Sequence, residues 1–100
     1  MLELVPYIDR IKSLCVETDV QELYLFGSAL TDKFSSASDI DLLVDFKTKT
    51  PLEYSNKYFK LKFQLEDLLG RPVDLLEKRS LRNPYLIDSI ERHKTLIYAA

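Results

Sequence analysis

The sequence predicts an α+β fold, in which helices pack on a small mixed β-sheet. Short apolar runs typical of strands alternate along the chain with longer segments that have helical apolar spacing. A length of 100 residues is suited to one domain over residues 1–100 with one modest core. Hydrophobic residues make up 46% and charged residues 30% of the chain, which is typical of a globular protein and argues against disorder.

The first helix is predicted over residues 6–17, because Pro6 suits a first helical position and apolar side chains follow at helical spacing. Those side chains belong to Tyr7, Ile8, Ile11, Leu14 and Cys15. Residues 20–26 are predicted as a strand that Gly27 ends. Ser28 is then expected at or near the N-cap of a short helix.

A polar surface loop over residues 31–38 and a second strand over 39–46 are expected next. The third strand is predicted at 73–76. An Asn-Pro pair then indicates the start of a helix over 83–92. A last short strand is expected at 95–98. No repeat or linker interrupts this order, and the sequence therefore predicts one domain.

A long amphipathic helix is predicted between the second and third strands. Thr50, Pro51 and Glu53 have the spacing of a capping box with a first-turn proline, and Gly70 is expected to end the helix. The helix has more aromatic side chains than one core stripe requires, namely Tyr54, Tyr58, Phe59 and Phe63. Core packing and a protein interface are both open interpretations of these aromatic residues.

The charge of the chain argues against strong binding of nucleic acid. The net charge is −2, too acidic for a protein that binds nucleic acid strongly by neutralising phosphates. Residues 1–50 hold five Lys and Arg against nine Asp and Glu, whereas residues 51–100 hold nine against seven. The mildly basic second half is consistent with an acidic partner, with phosphate binding, or with ordinary solvated surfaces.

Cellular location is predicted from three features. No apolar run approaches the roughly 20 residues that cross a membrane. The N-terminal residues lack the basic start and apolar stretch of a secretory signal. The single cysteine, Cys15, cannot form an internal disulfide, and a reducing, cytoplasmic location is expected.

Three aspartates in or beside apolar segments are the candidate site residues. Asp39 and Asp41 begin the second predicted strand, and Asp74 lies in the third. Ionised carboxylates in such segments are costly unless they meet a cation. Asp39 and Asp41 point the same way, roughly 6.5–7 Å apart along the strand. If the Asp74 strand lies beside them, three carboxylates converge on a site for Mg²⁺ or Mn²⁺, and two such ions would support phosphoryl transfer.

A Gly-Ser pair ten residues before the acidic pair has complementary chemistry. Gly27 at a strand-to-helix turn lets the backbone approach a phosphate closely. The Ser28 hydroxyl and the N–H groups that follow it are suited to the oxygens of a triphosphate. The triphosphate and the metal ions are therefore expected at one edge of the sheet.

The spacing of Gly27-Ser28, then Asp39-Ile40-Asp41, then Asp74 resembles the nucleotidyltransferase fold of the DNA polymerase beta superfamily. At this length the chain is most similar to the minimal nucleotidyltransferase branch. The resemblance implies that Asp39 and Asp41 hold both catalytic metal ions. It implies that Asp74 binds one ion and helps to activate the acceptor hydroxyl, while the Gly-Ser turn holds the triphosphate of ATP.

The same resemblance implies a partner. Many minimal members are antitoxins that neutralise a HEPN-type RNase toxin by transferring AMP from ATP to a toxin tyrosine, or partly by binding it. Such a chain is expected to form homo- or hetero-oligomers. Many minimal members have an arginine soon after the Gly-Ser pair, whereas this chain has Ala29-Leu30-Thr31-Asp32. Four basic residues are candidates to replace it: Lys33, Lys57, Lys60 and Arg71.

Alternative functions remain open at this point. The chain could neutralise its partner by binding alone, or it could transfer a nucleotide to RNA or to a small molecule. Three further residues are interpreted as structural. Asp45 is in phase with Asp41 but lies farther along the strand, His93 suits a helix C-terminus, and Cys15 lies on an apolar helix face.

Overall fold

The computed structural model describes residues 2–35, 37–48 and 50–100, so Ser36 of the predicted loop lies outside the described residues. The predicted α+β fold is confirmed. The helices and strands follow one another in this order: α1 (Ile8–Glu17), β1 (Val20–Phe26), β2 (Ile40–Phe46), α2 (Pro51–Leu69), β3 (Val73–Glu77), α3 (Pro84–His93) and β4 (Thr95–Ala99). Short 3₁₀ turns lie at Val5–Tyr7, Gly27–Leu30 and Lys78–Ser80.

The four strands form one mixed sheet in the order β3-β2-β1-β4. Strand β1 is antiparallel to both of its neighbours, β2 and β4. Strands β2 and β3 are parallel, and α2 connects them across the sheet. Strands β3 and β4 are therefore the edge strands.

The core lies between one face of the sheet and the helices α1 and α2. Ile11 and Cys15 of α1 and Leu61 and Leu65 of α2 are buried with the inward side chains of the strands. Along β2 the even-numbered residues are buried in this core, so Asp41 and its in-phase neighbours lie on the opposite face. Helix α3 lies at that opposite face, where buried Ile90 lines a cavity with Phe26.

Several predicted boundaries differ from the structure by one or two residues, and three of these differences concern the first helix and the candidate site. The first helix begins at Ile8, because residues 5–7 form a 3₁₀ turn in which the Tyr7 N–H donates to the Leu4 carbonyl at 2.9 Å. Asp39 lies immediately before β2, which begins at Ile40. Ser28, expected at or near an N-cap, is the second residue of its 3₁₀ turn, because the turn begins at Gly27 and its N-cap is Phe26.

The helix caps were predicted with mixed success. Asn83 caps α3, since its Oδ1 accepts from the N–H groups of Tyr85 at 2.9 Å and Leu86 at 3.3 Å. The predicted capping box of α2 is wrong: among the described residues, the Thr50 side chain makes no capping hydrogen bond. The Glu53 carboxylate instead accepts from the Thr48 hydroxyl at 2.9 Å.

Two further sequence predictions concern helix ends and the membrane. Gly70 ends α2 in the left-handed conformation with φ 69°, as its position predicts. Within residues 2–35, 37–48 and 50–100, no helix is both long enough and apolar enough to cross a bilayer.

Candidate functional site

Asp41 lies between the Gly-Ser turn and the third aspartate. Its neighbour across the antiparallel pair is Phe26, the last residue before Gly27, and its neighbour across the parallel pair is Asp74. Register partners on adjacent strands point to the same face and are about 4.8 Å apart between backbones. Asp39 lies immediately before β2, and its charge acts on the Asp41 carboxylate. The three sequence-predicted acidic residues therefore lie in the same region, at the start of β2 and β3.

The charges of these acids act on one another. The pKa of Asp41 is raised, first by burial of its carboxylate, then by the charge of Asp74 and then by that of Asp39. In the part of the chain that the structure describes, no cation lies within ion-pair distance of these three carboxylates. The site is consequently an uncompensated negative centre, which favours binding of a cation.

Gly27 makes the closest approach to this centre. Its φ is +75°, a left-handed conformation that residues with a side chain rarely adopt. A Cβ built on Gly27 would lie 2.3 Å from Oδ2 of Asp41, which is far inside van der Waals contact. The backbone at this turn and the Asp41 carboxylate therefore border the same space, and only glycine leaves that space open.

The turn after Gly27 is anchored on both sides. The N–H and the hydroxyl of Thr31 both donate to the Ser28 carbonyl at 2.9 Å, and the Leu2 N–H donates to the Ala29 carbonyl at 2.9 Å. Ala29 is fully buried in the core, whereas Ser28 remains half-buried beside it. The core contact of Ala29 thus fixes the turn that presents Ser28.

The donor chemistry of the site suits a hard divalent ion, but the side chains do not form a closed cage. Across the described ranges, no group of three or more acidic, histidine or cysteine side chains lies close enough together to hold a metal ion. Asp39 and Asp74 are exposed, so packing does not prevent their side chains from turning towards Asp41. Carboxylate oxygens are the ligand type that Mg²⁺ and Mn²⁺ prefer.

One surface cavity adjoins the site. It has a volume of about 570 Å³ between the Gly-Ser turn and α3, and is lined by Phe26, Gly27, Leu30, Thr31, Leu86, Ser89, Ile90 and His93. A larger groove of about 710 Å³ lies between α1 and α2 and includes none of the predicted site residues. The smaller cavity is the relevant one, because Gly27 forms part of its wall.

Asp45, Cys15 and His93 are interpreted as structural from the sequence, and the structure shows the surroundings of each. Asp45 forms an ion pair with Arg79 at 3.2 Å, at the far end of β2 from Asp41. Cys15 is fully buried, and burial raises the pKa of its thiol to about 12. His93 is the last residue of α3, as predicted, but it also lines the cavity that Gly27 borders.

Three of the four basic residues proposed to replace the arginine are engaged elsewhere. Lys57 is paired with Asp19, and Lys60 lies 3.7 Å from Glu17. Arg71 donates to the carbonyls of Ser35 and Ser38, and its guanidinium lies over the Phe34 ring. These three side chains thus have partners within the chain, whereas Lys33 is exposed in the turn after the Gly-Ser pair.

The aromatic residues of α2 divide into two groups. The Tyr54 ring packs edge-on against Phe46 with ring centroids 5.3 Å apart, and Tyr58 is half-buried. Phe59 and Phe63 are 50% and 56% exposed and stack on each other at 5.9 Å. Core packing therefore accounts for the tyrosines and leaves the interface interpretation to the two phenylalanines.

Backbone contacts beside the aspartates were not predicted from the sequence. The two α2 residues Tyr58 and Glu66 bond to the backbone on either side of Asp74. On the other strand, the Ile40 N–H next to Asp39 donates to the Pro72 carbonyl at 3.0 Å. No motif or spacing identifies such contacts, because they join segments that only the fold brings together.

The chain belongs to the nucleotidyltransferase domain family, whose family model matches residues 8–97. It is therefore a nucleotidyltransferase, and the resemblance to the minimal nucleotidyltransferases is confirmed.

Relatives and a solved structure agree with this class. MJ0128 of Methanocaldococcus jannaschii, provisionally named a protein adenylyltransferase, is 44% identical over 79 residues, which are 79% of this chain and 76% of that protein. The protein adenylyltransferase MntA of Thermococcus cleftensis is 39% identical over 72 residues, or 72% of this chain and 70% of the relative. A complex of the tri-AMPylated Shewanella oneidensis HEPN toxin with its MNT antitoxin matches in fold with a TM-score of 0.63 at 23% identity, covering 93% of this chain and 70% of that one.

Proposed function

We propose that this protein transfers AMP from ATP to the hydroxyl group of a tyrosine on a HEPN-type toxin, with pyrophosphate as the leaving group, and acts as the antitoxin of that toxin. The observation that carries the proposal is the position of Asp41, which borders Gly27 on one side and has Asp74 as its register partner on the other. This arrangement brings a triphosphate-binding turn and acidic metal ligands to one place. The names of the relatives support the choice of AMP as the transferred group.

Asp39, Asp41 and Asp74 would hold two Mg²⁺ ions, or Mn²⁺ in their place. The fit is supported by the raised pKa of Asp41, which comes first from burial and then from the charges of Asp74 and Asp39, and a bound cation would offset both causes. Bound divalent ions supply charge neutralisation to the phosphates and lower the pKa of an attacking hydroxyl.

The chain's own residues have separate roles in this proposal. Gly27 admits the triphosphate against the backbone because it has no side chain, and the half-buried Ser28 hydroxyl donates to a phosphate oxygen. Asp41, the most enclosed of the acids, sets the position of the site. Asp74 is exposed on an edge strand, where an acceptor hydroxyl from another protein can reach it and lose its proton.

The test is a transfer assay with labelled ATP, Mg²⁺ and the candidate toxin. The wild-type protein should label the toxin, and the Asp39→Ala, Asp41→Ala double variant should not. Asp45→Asn is a matched control on the same strand and face, and it should label the toxin normally. Equal labelling by the wild type and the double variant would contradict the proposal.

A second candidate is neutralisation by binding alone, with an inactive nucleotide site. It is favoured by the engagement of Lys57, Lys60 and Arg71 elsewhere, which leaves the missing arginine without these replacements. If the double variant protects cells from the toxin as well as the wild type does, this second function is the correct one.

A further inference from the structure

Strand β3, which contains Asp74, is an edge strand with one side not covered by another strand. The backbone groups of alternate residues point to alternate sides of a strand. The outward groups of Val73 and Leu75 therefore need partners other than a neighbouring strand. Both partners come from one helix. Oε2 of Glu66 accepts from the Val73 N–H at 2.9 Å, and the Tyr58 hydroxyl donates to the Leu75 carbonyl at 2.5 Å.

These two bonds lie immediately before and after Asp74 in the chain. The helix that supplies them is itself firmly seated, since Leu61 and Leu65, between the two residues, are fully buried. The Tyr58 ring is further held edge-on by Phe59, with centroids 5.2 Å apart. Helix α2 is thus a rigid support that contacts the backbone on both sides of one acidic residue.

The Tyr58 phenol also lies within the electrostatic influence of Asp74. Burial raises the pKa of Tyr58 above its ordinary value of 10.0, and the charge of Asp74 raises it further. The phenol therefore stays protonated at neutral pH and remains a donor to the Leu75 carbonyl. This hydrogen bond persists while Asp74 is ionised.

We propose that Tyr58 and Glu66 are positioning residues, which hold β3 so that Asp74 stays opposite Asp41. The inference rests on the proposed transfer function. Five residues form β3, and a short edge strand without these bonds would move relative to β2. A displacement of about 1 Å in a reacting constellation can lower a rate by about a hundredfold. If these bonds served only to protect the edge of the sheet, their loss would change neither the metal affinity nor the rate of transfer.

Tyr58→Phe tests one bond with little change in packing. We expect kcat for AMP transfer to fall about tenfold, while KM for ATP stays unchanged. The loss should be smaller than the roughly hundredfold loss given above, because Glu66 still holds the strand on the other side of Asp74. Tyr54→Phe is the matched control, because it removes the same atom from the same helix at a ring that packs against Phe46. The control should keep the wild-type kcat.

Glu66 allows a conservative rescue. Glu66→Leu removes the acceptor, so the Val73 amide should exchange its hydrogen on the order of tenfold faster, and Mn²⁺ affinity and kcat should both fall. Glu66→Gln keeps an acceptor oxygen and should restore all three measurements. Thermal melts of each variant establish that it is folded.

The outcomes separate this inference from the proposed function. If Tyr58→Phe and Glu66→Leu keep the wild-type Mn²⁺ affinity and kcat, the positioning role is wrong, even if Val73 exchanges faster. If the wild type binds Mn²⁺ but does not label the toxin, the transfer function fails. In that case positioning of Asp74 still stands when Glu66→Leu weakens Mn²⁺ binding and Glu66→Gln restores it.

Discussion

Strand β2 has a pair of facing carboxylates at each end, and the two pairs differ in the counter-charges around them. At one end Asp41 is the register partner of Asp74, and at the other Asp45 is the register partner of Glu22. Like charges directly opposite each other on a sheet are destabilising. The same unfavourable pairing thus occurs twice on one face of the sheet.

Only the Asp45 end has its own counter-charges in the described structure. Arg79 lies 3.2 Å from Asp45, and Lys78 lies 3.8 Å from Glu22. Glu22 also accepts a hydrogen bond from the Tyr24 hydroxyl at 2.8 Å. At the Asp41 end the pKa of the carboxylate is raised, first by burial and then by the charges of Asp74 and Asp39. The difference supports the proposed metal site, because the described structure pairs one set of facing acids with cations of the chain and leaves the other set without a counter-charge.

The largest effect is expected from neutralising each end in turn. Asp41→Asn should lower the rate of AMP transfer on the order of a thousandfold, because it removes the acid between Gly27 and Asp74. Asp45→Asn should leave the rate unchanged, since its carboxylate is paired with Arg79. Initial rates with labelled ATP measure both. Similar losses in the two variants would show that the two ends do not differ in function.

Glycine substitutions test how tightly the backbone at Gly27 packs against the Asp41 carboxylate. Gly27→Ala should lower the free energy of unfolding by about 1–3 kcal/mol, because it combines a left-handed φ with a contact at 2.3 Å to Asp41. Gly70→Ala has a similar φ of +69° but no atom within 4 Å, and should cost only about 1 kcal/mol. Urea unfolding measures the difference. Equal losses would mean that the Asp41 carboxylate simply moves aside.

Thermal stability should change in opposite directions at the two ends. Asp41→Asn should raise the midpoint of thermal unfolding at neutral pH, because a raised pKa means that ionised Asp41 destabilises the folded state. Asp45→Asn should lower it by removing the partner of Arg79. The destabilisation by Asp41 is present above its raised pKa and is relieved as the pH falls through that pKa towards 3.8. The advantage of Asp41→Asn over the wild type should therefore shrink in acid.

Addition of Mg²⁺ extends the same measurement. It should raise the melting midpoint of the wild type and have less effect on Asp41→Asn, because only a ligand that binds the folded state stabilises it. A larger Mg²⁺ effect in Asp41→Asn than in the wild type would contradict the assignment of this end as the metal site.

The smallest effect is expected from the cations at the Asp45 end. Arg79→Gln should lower the free energy of unfolding by about 0.5 kcal/mol, because the ion pair is partly exposed. The loss should diminish in about 1 M salt, which screens exposed charges. Lys78→Gln, whose charge lies farther from its partner, should have a smaller effect still. A loss that does not depend on salt would point to the hydrogen bond from Arg79 to the Phe46 carbonyl at 2.8 Å.

Much of the fold was predictable because its signals are local. Apolar periodicity located every strand and helix to within two residues, and Asn83 and Gly70 marked a helix start and a helix end. The predicted Thr50 capping box is wrong because Glu53 accepts a hydrogen bond from Thr48 instead. Sequence spacing does not determine which of several similar polar partners a side chain bonds to. The sequence likewise did not predict that Lys57 and Lys60 would pair with carboxylates of Asp19 and Glu17.

The sequence alone determined which residues could form the candidate site, since Gly27-Ser28 ends one apolar run, Asp39 and Asp41 begin the next, and Asp74 lies within a third. Only the tertiary structure decided that β3 lies beside β2 in the register that sets Asp74 opposite Asp41. It also decided that Tyr58 and Glu66 bond to the backbone around Asp74. The physical reason is that an apolar run is a property of one segment, whereas register and side-chain-to-backbone contacts depend on how distant segments pack around the shared core.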